Sequence, residues 1–143
     1  MRRSYLLLPA VTLVLAACSG GASGSPAESG ARTIQVNASD ELRFAPAELT
    51  VSAGETVRFE VHNTGQIVHE FVIGDVDVQA EHEMEMDDMA SGMEMADEAN
   101  AITLQPGETK TLEYTFEEAG ELLAGCHEPG HYDAGMVATI TIE

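Results

Sequence analysis

The feature that most constrains the fold is a series of short segments in which apolar and polar residues alternate with a period of two. The alternation is clearest at Val57, Phe59 and Val61, which polar or charged residues separate. Turn-forming stretches such as Gln-Pro-Gly-Glu at 105–108 punctuate the segments. This period turns one face of each strand inward. Short strands at this spacing predict an all-β, Greek-key β-sandwich with antiparallel strands over residues 33–143.

The first 17 residues are predicted to be a secretory signal peptide, with Arg2 and Arg3 ahead of an apolar stretch too short to span a membrane with these flanks. Leu-Ala-Ala-Cys at 15–18 resembles the lipobox of bacterial lipoproteins, in which the cysteine carries lipid. We therefore expect an exported protein, anchored to a bacterial membrane through lipid on Cys18 and facing the periplasm or the cell exterior. An ordinary signal peptide cut elsewhere is the alternative. Residues 18–32, rich in Gly, Ser and Ala, predict a flexible tether.

Charge narrows the range of partners. The chain has 25 acidic residues against 6 basic ones, and its formal net charge is −19. Such a polyanion repels nucleic acid and anionic lipid surfaces, and it attracts cations and basic proteins. A merely soluble surface, or adaptation to salt, would give the same composition.

The sharpest chemical signal is the segment CHEPGHYDAGM at 126–136. Its spacing, C-x4-H-x4-M, takes a thiolate from Cys126, an imidazole from His131 and a thioether from Met136 within one loop between two predicted strands. Soft sulfur ligands suit Cu(I), and imidazole suits both oxidation states of copper. If Cys18 is lipidated, Cys126 has no partner in the chain, and an exported lone thiol needs burial or metal ligation.

A second imidazole must come from elsewhere in the chain, and His69 is the candidate. It shares one strand face with Phe71 and Ile73, so its side chain is expected to point toward the core. His62 lies on the outer face of its strand and is read as solvated. An isolated inward histidine would be a structural core residue, but two His, one Cys and an axial Met make a mononuclear type 1 copper site. Zinc is a poorer fit to a set with one Cys and a Met.

Residues 81–98 (EHEMEMDDMASGMEMADE) have no strand pattern and are predicted to be an insertion between two strands. Met86, Met89 and Met93 would share one face of a short helix. Two interpretations remain open: a helix that packs its methionines on the sandwich, or accessory copper binding by the His and Met residues of the segment. Those residues are His82, Met84, Met86, Met89, Met93 and Met95.

Further motifs make the chain resemble cupredoxins of the plastocyanin/azurin type over residues 33–143. They are FAPAELTV at 44–51, GETV at 54–57, NTG at 63–65 and LQPGET at 104–109. HEF at 69–71, PGHYDAGM at 129–136 and the acidic insertion are most similar to bacterial copper-tolerance cupredoxins. The resemblance implies a cupredoxin-like sandwich holding one type 1 copper. It assigns the ligand roles to His69, Cys126, His131 and Met136.

His127 directly follows the thiolate ligand, which is less usual in that family. It is read as a surface residue, with a second metal contact or a tuning element near the sulfur as the alternatives.

The resemblance implies electron transfer with a redox partner, in which an exposed edge of His131 would be the electron exit. The alternative is copper tolerance, in which the protein binds and buffers copper outside the cytoplasm and exchanges it with a donor or acceptor protein. An enzyme is not expected, because copper enzymes of related fold add His-rich sites and further domains, whereas this chain has one domain's length and five histidines.

The Cys126→Ser variant tests the thiolate assignment. A hydroxyl cannot supply the thiolate-to-Cu(II) charge transfer, so the copper-loaded variant should fold but lack the intense visible absorption band. Absorption spectra, with circular dichroism as the check on folding, measure this. A band retained in the folded variant would contradict the assignment.

Overall fold

The computed structural model describes residues 31–88 and 96–143, which form two facing β-sheets and one helix. The predicted signal peptide and Cys18 lie outside these residues. Among the described residues, no helix combines the length and apolar character needed to cross a bilayer. The elements in chain order are β1 (Arg32–Ser39), β2 (Arg43–Ala45), β3 (Glu48–Val51), β4 (Glu55–Asn63), β5 (His69–Gly74), α1 (Val76–Asp88), β6 (Ala101–Leu104), β7 (Thr109–Phe116), β8 (Gly120–Gly125) and β9 (Val137–Ile142).

One sheet has the strand order β2-β1-β4-β7, and the other has the order β3-β9-β8-β5-β6. The predicted all-β sandwich with a short helix is confirmed. Both sheets are mixed, however, because β1 pairs with β4 and β3 pairs with β9 in parallel. The prediction that all strands would be antiparallel is therefore wrong in these two pairs. Alternation reports which face of a strand is buried, and it is the same for parallel and antiparallel neighbours.

All four phenylalanines of the sequence lie in the core between the sheets. Phe59 of β4 packs against Phe71 of β5 with ring centroids 5.5 Å apart, and against Phe116 of β7 at 6.2 Å. Phe44 meets the Phe71 ring edge-on at 5.3 Å. Burial of each Phe side chain contributes about 1.5–3 kcal/mol to the stability of the fold. The edge-to-face contacts of Phe44 with Phe71 and of Phe59 with Phe116 have a favoured geometry. The core therefore fixes β5, the strand that begins at His69.

The helix α1 covers the outer face of β5. Asp75 caps it, since its Oδ1 accepts hydrogen bonds from the N–H groups of Asp77 (3.0 Å) and Val78 (2.9 Å). Gly74 makes the close approach possible, because a Cβ at this position would lie 2.3 Å from Val78 Cγ1. The helix thus begins at Val76, ahead of the acidic segment 81–98. As a result, the residues on the inner face of β5 and those on its outer face are all buried.

Candidate metal centre

Three of the predicted ligands lie in the loop between β8 and β9. The Cys126 N–H donates to the Met136 carbonyl (3.1 Å), which closes the loop at its base. The Met136 N–H donates to the His131 carbonyl (3.0 Å), which ties the third ligand to the second. Gly130 and Gly135 have φ values of +80° and +86°, so the tight turns around His131 require glycine. The backbone therefore brings Cys126, His131 and Met136 to one end of the sandwich.

His69 reaches the same end through a loop that Asn63 holds in place. The fully buried Asn63 side chain donates from Nδ2 to the carbonyls of Ile67 (2.7 Å) and Leu104 (3.1 Å). Its Oδ1 accepts a hydrogen bond from the Gly65 N–H (2.9 Å). The loop that leads into β5 is thereby fixed, and His69 is the first residue of that strand.

The donor atoms of His69, Cys126 and His131 all lie within 4.8 Å of one another. Cys126 Sγ is 3.3 Å from His131 Nδ1 and 3.9 Å from His69 Nδ1. Among the His, Cys, Asp and Glu residues that the structure describes, this is the one group of three or more that converges so closely. Met136, the last residue of the loop that carries Cys126 and His131, is fully buried. One thiolate and two imidazoles with a neighbouring thioether fit copper, and these four residues would hold it.

Burial sets the protonation of the donors. It raises the pKa of the Cys126 thiol to about 12, so the metal-free side chain is a neutral thiol at neutral pH. The Glu70 N–H donates to Cys126 Sγ at 3.3 Å. Burial, together with the neighbouring His131, lowers the pKa of His69, and burial also lowers the pKa of His131. Both imidazoles are therefore neutral near pH 7 and can offer a lone pair.

Exposure differs among the four residues. His69, Cys126 and Met136 are fully buried, whereas His131 is only partly buried. The second nitrogen of His69, Nε2, faces Asp40 Oδ1 at 3.6 Å. The partly exposed ring of His131 is thus the ligand that a partner molecule can approach.

His127 is not a surface residue, so that expectation is wrong. Its side chain is 1% exposed and stacks on Tyr132, with ring centroids 4.6 Å apart. His127 Nε2 lies 2.7 Å from Gln79 Oε1, and Nδ1 pairs with the Glu83 carboxylate. Both partners belong to α1, which covers the face of the sheet toward which His127 points. The helix is therefore joined directly to the residue that follows Cys126.

The predicted accessory residues differ in their burial. His82 is buried, Met86 is partly buried, and Met84 is exposed. The remaining three, Met89, Met93 and Met95, lie outside the described residues, and so does the proposed shared face of Met86, Met89 and Met93.

Two residues near the site were not singled out from the sequence. In the alternation of β4, Asn63 falls on the same inward face as Val57, Phe59 and Val61. A polar residue at an inward position indicates a side chain that is buried and hydrogen-bonded. Glu70 is the one acidic residue within β5, and it is only 2% exposed. Its outward position in the alternation gave no signal of burial, because the period of a strand does not show what covers its outer face.

Comparison with known proteins extends these observations. The sequence profile of the family described as copper binding proteins, plastocyanin/azurin family, matches residues 31–143. The copper-resistant cuproprotein CopI of Pseudomonas aeruginosa is 35% identical over 176 aligned positions, which cover 96% of this chain and 97% of that protein. Auracyanin-A of Chloroflexus aurantiacus is 34% identical over 142 positions, which cover 88% of this chain and 87% of that protein.

Solved structures show the same likeness. The crystal structure of dithionite-reduced auracyanin from Roseiflexus castenholzii superposes with a TM-score of 0.67 at 30% identity. The match covers 80% of this chain and 99% of that one.

The Asn63→Ala substitution tests the support beneath His69. It leaves three backbone groups without their partner, and those of Gly65 and Leu104 are buried, so the free energy of unfolding should fall by about 1–3 kcal/mol. Urea denaturation of the metal-free protein measures the change. The exposed neighbour gives the control, since His62→Ala should stay within about 0.5 kcal/mol of the parent. Equal stability of both variants would contradict the role of Asn63.

The raised pKa of Cys126 predicts how copper affinity depends on pH. A thiol with a pKa of about 12 loses its proton on binding, so raising the pH removes competition by protons. The apparent affinity should rise about tenfold per pH unit between pH 7 and 9, where both imidazoles are already neutral. Competition against a chelator of known affinity measures the slope. Cys126→Ser should lose it, and a flat profile in the parent would contradict the prediction.

Proposed function

Because the chain belongs to the plastocyanin/azurin family of copper-binding proteins, we propose that it is an exported type 1 copper protein that serves in copper tolerance. It binds one copper through His69, Cys126, His131 and Met136. Copper held there would supply one-electron redox chemistry between Cu(I) and Cu(II). The role of the chain is to hold soft and imidazole donors at fixed positions, to exclude water from three of them, and to leave His131 accessible.

The observation that carries the tolerance proposal is the position of α1. This helix bears His82 and Met86 and packs beside the loop of the copper ligands, with Gln79 and Glu83 contacting His127. Imidazole, thioether and carboxylate groups therefore lie next to the copper site, where they can collect copper. Similarity to CopI, a protein named for copper resistance, over 96% of this chain supports the same function.

Electron transfer is the second candidate, and the exposure pattern of the ligands favours it. The buried ligands are held by backbone and core contacts, which limits rearrangement between oxidation states, and the partly exposed His131 gives a partner one point of approach. Similarity to the auracyanins, one of which is described as a blue copper protein, supports this reading. The net charge of −19 favours a basic redox partner or copper-exchange partner. Catalysis is the least favoured role, because only the edge of His131 is open to a substrate.

The proposed location rests on residues 1–18 alone. Signal-peptide cleavage and lipid attachment at Cys18 would place the copper domain outside the cytoplasm on a membrane-bound tether. In that location the protein meets copper before the ion enters the cell.

Growth of a copper-sensitive bacterial host tests the tolerance proposal. Cells that export the full chain should grow at higher copper concentrations than cells that export Cys126→Ser, because only the former can hold copper at the type 1 site. His62→Ala, an exposed histidine away from the site, is the matched control and should protect as the parent does. Immunoblotting checks equal expression. Equal growth of the parent and Cys126→Ser would overturn the proposal.

A further inference from the structure

A second group of metal-binding side chains lies between α1 and the outer face of β5. Glu70 points away from the sandwich core, opposite in parity to His69 and Phe71, and α1 covers it. The Glu70 side chain is 3% exposed and that of His82 on α1 is 7% exposed. His82 Nε2 lies 3.5 Å from Glu70 Oε2, and neither atom has a hydrogen-bond partner among the residues that the structure describes.

The separation of these two atoms fits shared metal ligation better than it fits a hydrogen bond. N–H···O hydrogen bonds in proteins span about 2.7–3.2 Å. Two ligand atoms bound at about 2.0–2.1 Å around a tetrahedral metal lie about 3.3–3.5 Å apart. The type 1 ligands show similar spacings, since Cys126 Sγ lies 3.3 Å from His131 Nδ1 and 3.9 Å from His69 Nδ1. Buried polar atoms without partners are costly, and a bound ion would remove that cost.

Met86 supplies a third donor of suitable chemistry. It follows His82 by one helical turn, so the two side chains lie on the same side of α1. Met86 is partly buried, whereas Met84 is 63% exposed. Imidazole and thioether together suit Cu(I). The single carboxylate of Glu70 neutralises a monovalent ion, which matters because an unbalanced charge at a buried position is strongly disfavoured.

We propose that Glu70, His82 and Met86 form a second copper site that binds Cu(I) beneath α1. This inference rests on the proposed copper-binding function and adds a defined site to it. The two sites are adjacent, because Glu70 follows the ligand His69 in the chain and its N–H donates to Cys126 Sγ. Copper collected under the helix would therefore lie next to the type 1 ligands.

Silver provides the direct test, since Ag(I) is a redox-inert substitute for Cu(I). The full chain, labelled with 15N, is titrated with Ag(I), and the histidine ring nitrogens are followed by NMR. One binding step should shift the ring nitrogens of His69 and His131, and a separate step should shift His82 Nε2. The His82 signal distinguishes this site from Ag(I) held by other methionines of the insertion.

Three variants define the ligand set. Glu70→Gln keeps the size and one acceptor oxygen but removes the charge, and Met86→Leu keeps the apolar bulk but removes the thioether. Each should weaken the His82 step by at least about tenfold and leave the His69 and His131 step in place. Met84→Leu is the matched control and should leave both steps unchanged. A retained type 1 step also shows that each variant is folded.

Two results would overturn the second site. The first is an NMR signal of His82 Nε2 that does not shift after the His69 and His131 step is complete. His82 and Glu70 would then form an ion pair without a metal. The second is equal weakening by Met84→Leu and Met86→Leu, which would make the binding unspecific. Failure of the proposed function gives a different result. The signals of His69 and His131 would then not shift with Ag(I), and Cu(II) would give no visible absorption band, irrespective of the His82 signal.

Discussion

The backbone hydrogen bond from the Cys126 N–H to the Met136 carbonyl closes the loop on which the copper site depends. It continues the antiparallel pairing of β8 and β9, whose last pair is Gly125 with Val137. The aromatic core holds these sheets together, so the two ends of the loop are fixed by the fold. The loop ligands therefore take their positions from the backbone of the loop and of the two strands that flank it. Such preorganisation suits a centre that must keep one geometry in two oxidation states.

Strand β5 connects the core, the copper site and the helix. Its inner face carries His69 and Phe71, and its outer face carries Glu70 beneath α1. A helix on a sheet is usually held by apolar contacts, but here the contact includes the buried side chains of Gln79 and His82. Gln79 Nε2 donates to the Val72 carbonyl at 3.0 Å, and Gln79 Oε1 faces His127. Because buried polar groups are costly without partners, these contacts fix the helix in one position against the copper loop.

Charge and burial act on copper at different distances. The acidic surface attracts cations over about 10 Å at moderate ionic strength, without regard to their chemistry. Selection for copper occurs only at the buried donors, where sulfur and imidazole favour it over harder ions. The thiol of Cys126 is buried and neutral, so it must release its proton when it binds copper. The helix α1 lies between the acidic surface and the buried donors, with acidic residues on its exposed side and His82 on its buried side.

The sequence by itself determined the parts of this protein that depend on local pattern. Alternation predicted the sandwich and its inward residues, C-x4-H-x4-M placed three donors in one loop, and parity selected His69 over His62. The described structure brings His69, Cys126 and His131 together as that reasoning expected. The ligand set was accessible because three of its members are close in the chain and the fourth follows from a strand's period of two.

The tertiary structure alone decided which strands are neighbours and what lies on the outer face of β5. The alternation of apolar and polar residues does not show that β1 pairs with β4, and β3 with β9, in parallel. The burial of Glu70 and His127 depends on α1 crossing the sheet, which brings residues 79–83 to residues 70 and 127. A strand's period states only that a side chain points outward. Whether an outward-pointing side chain contacts water or a helix depends on contacts between residues distant in the chain. The local sequence pattern does not contain that information.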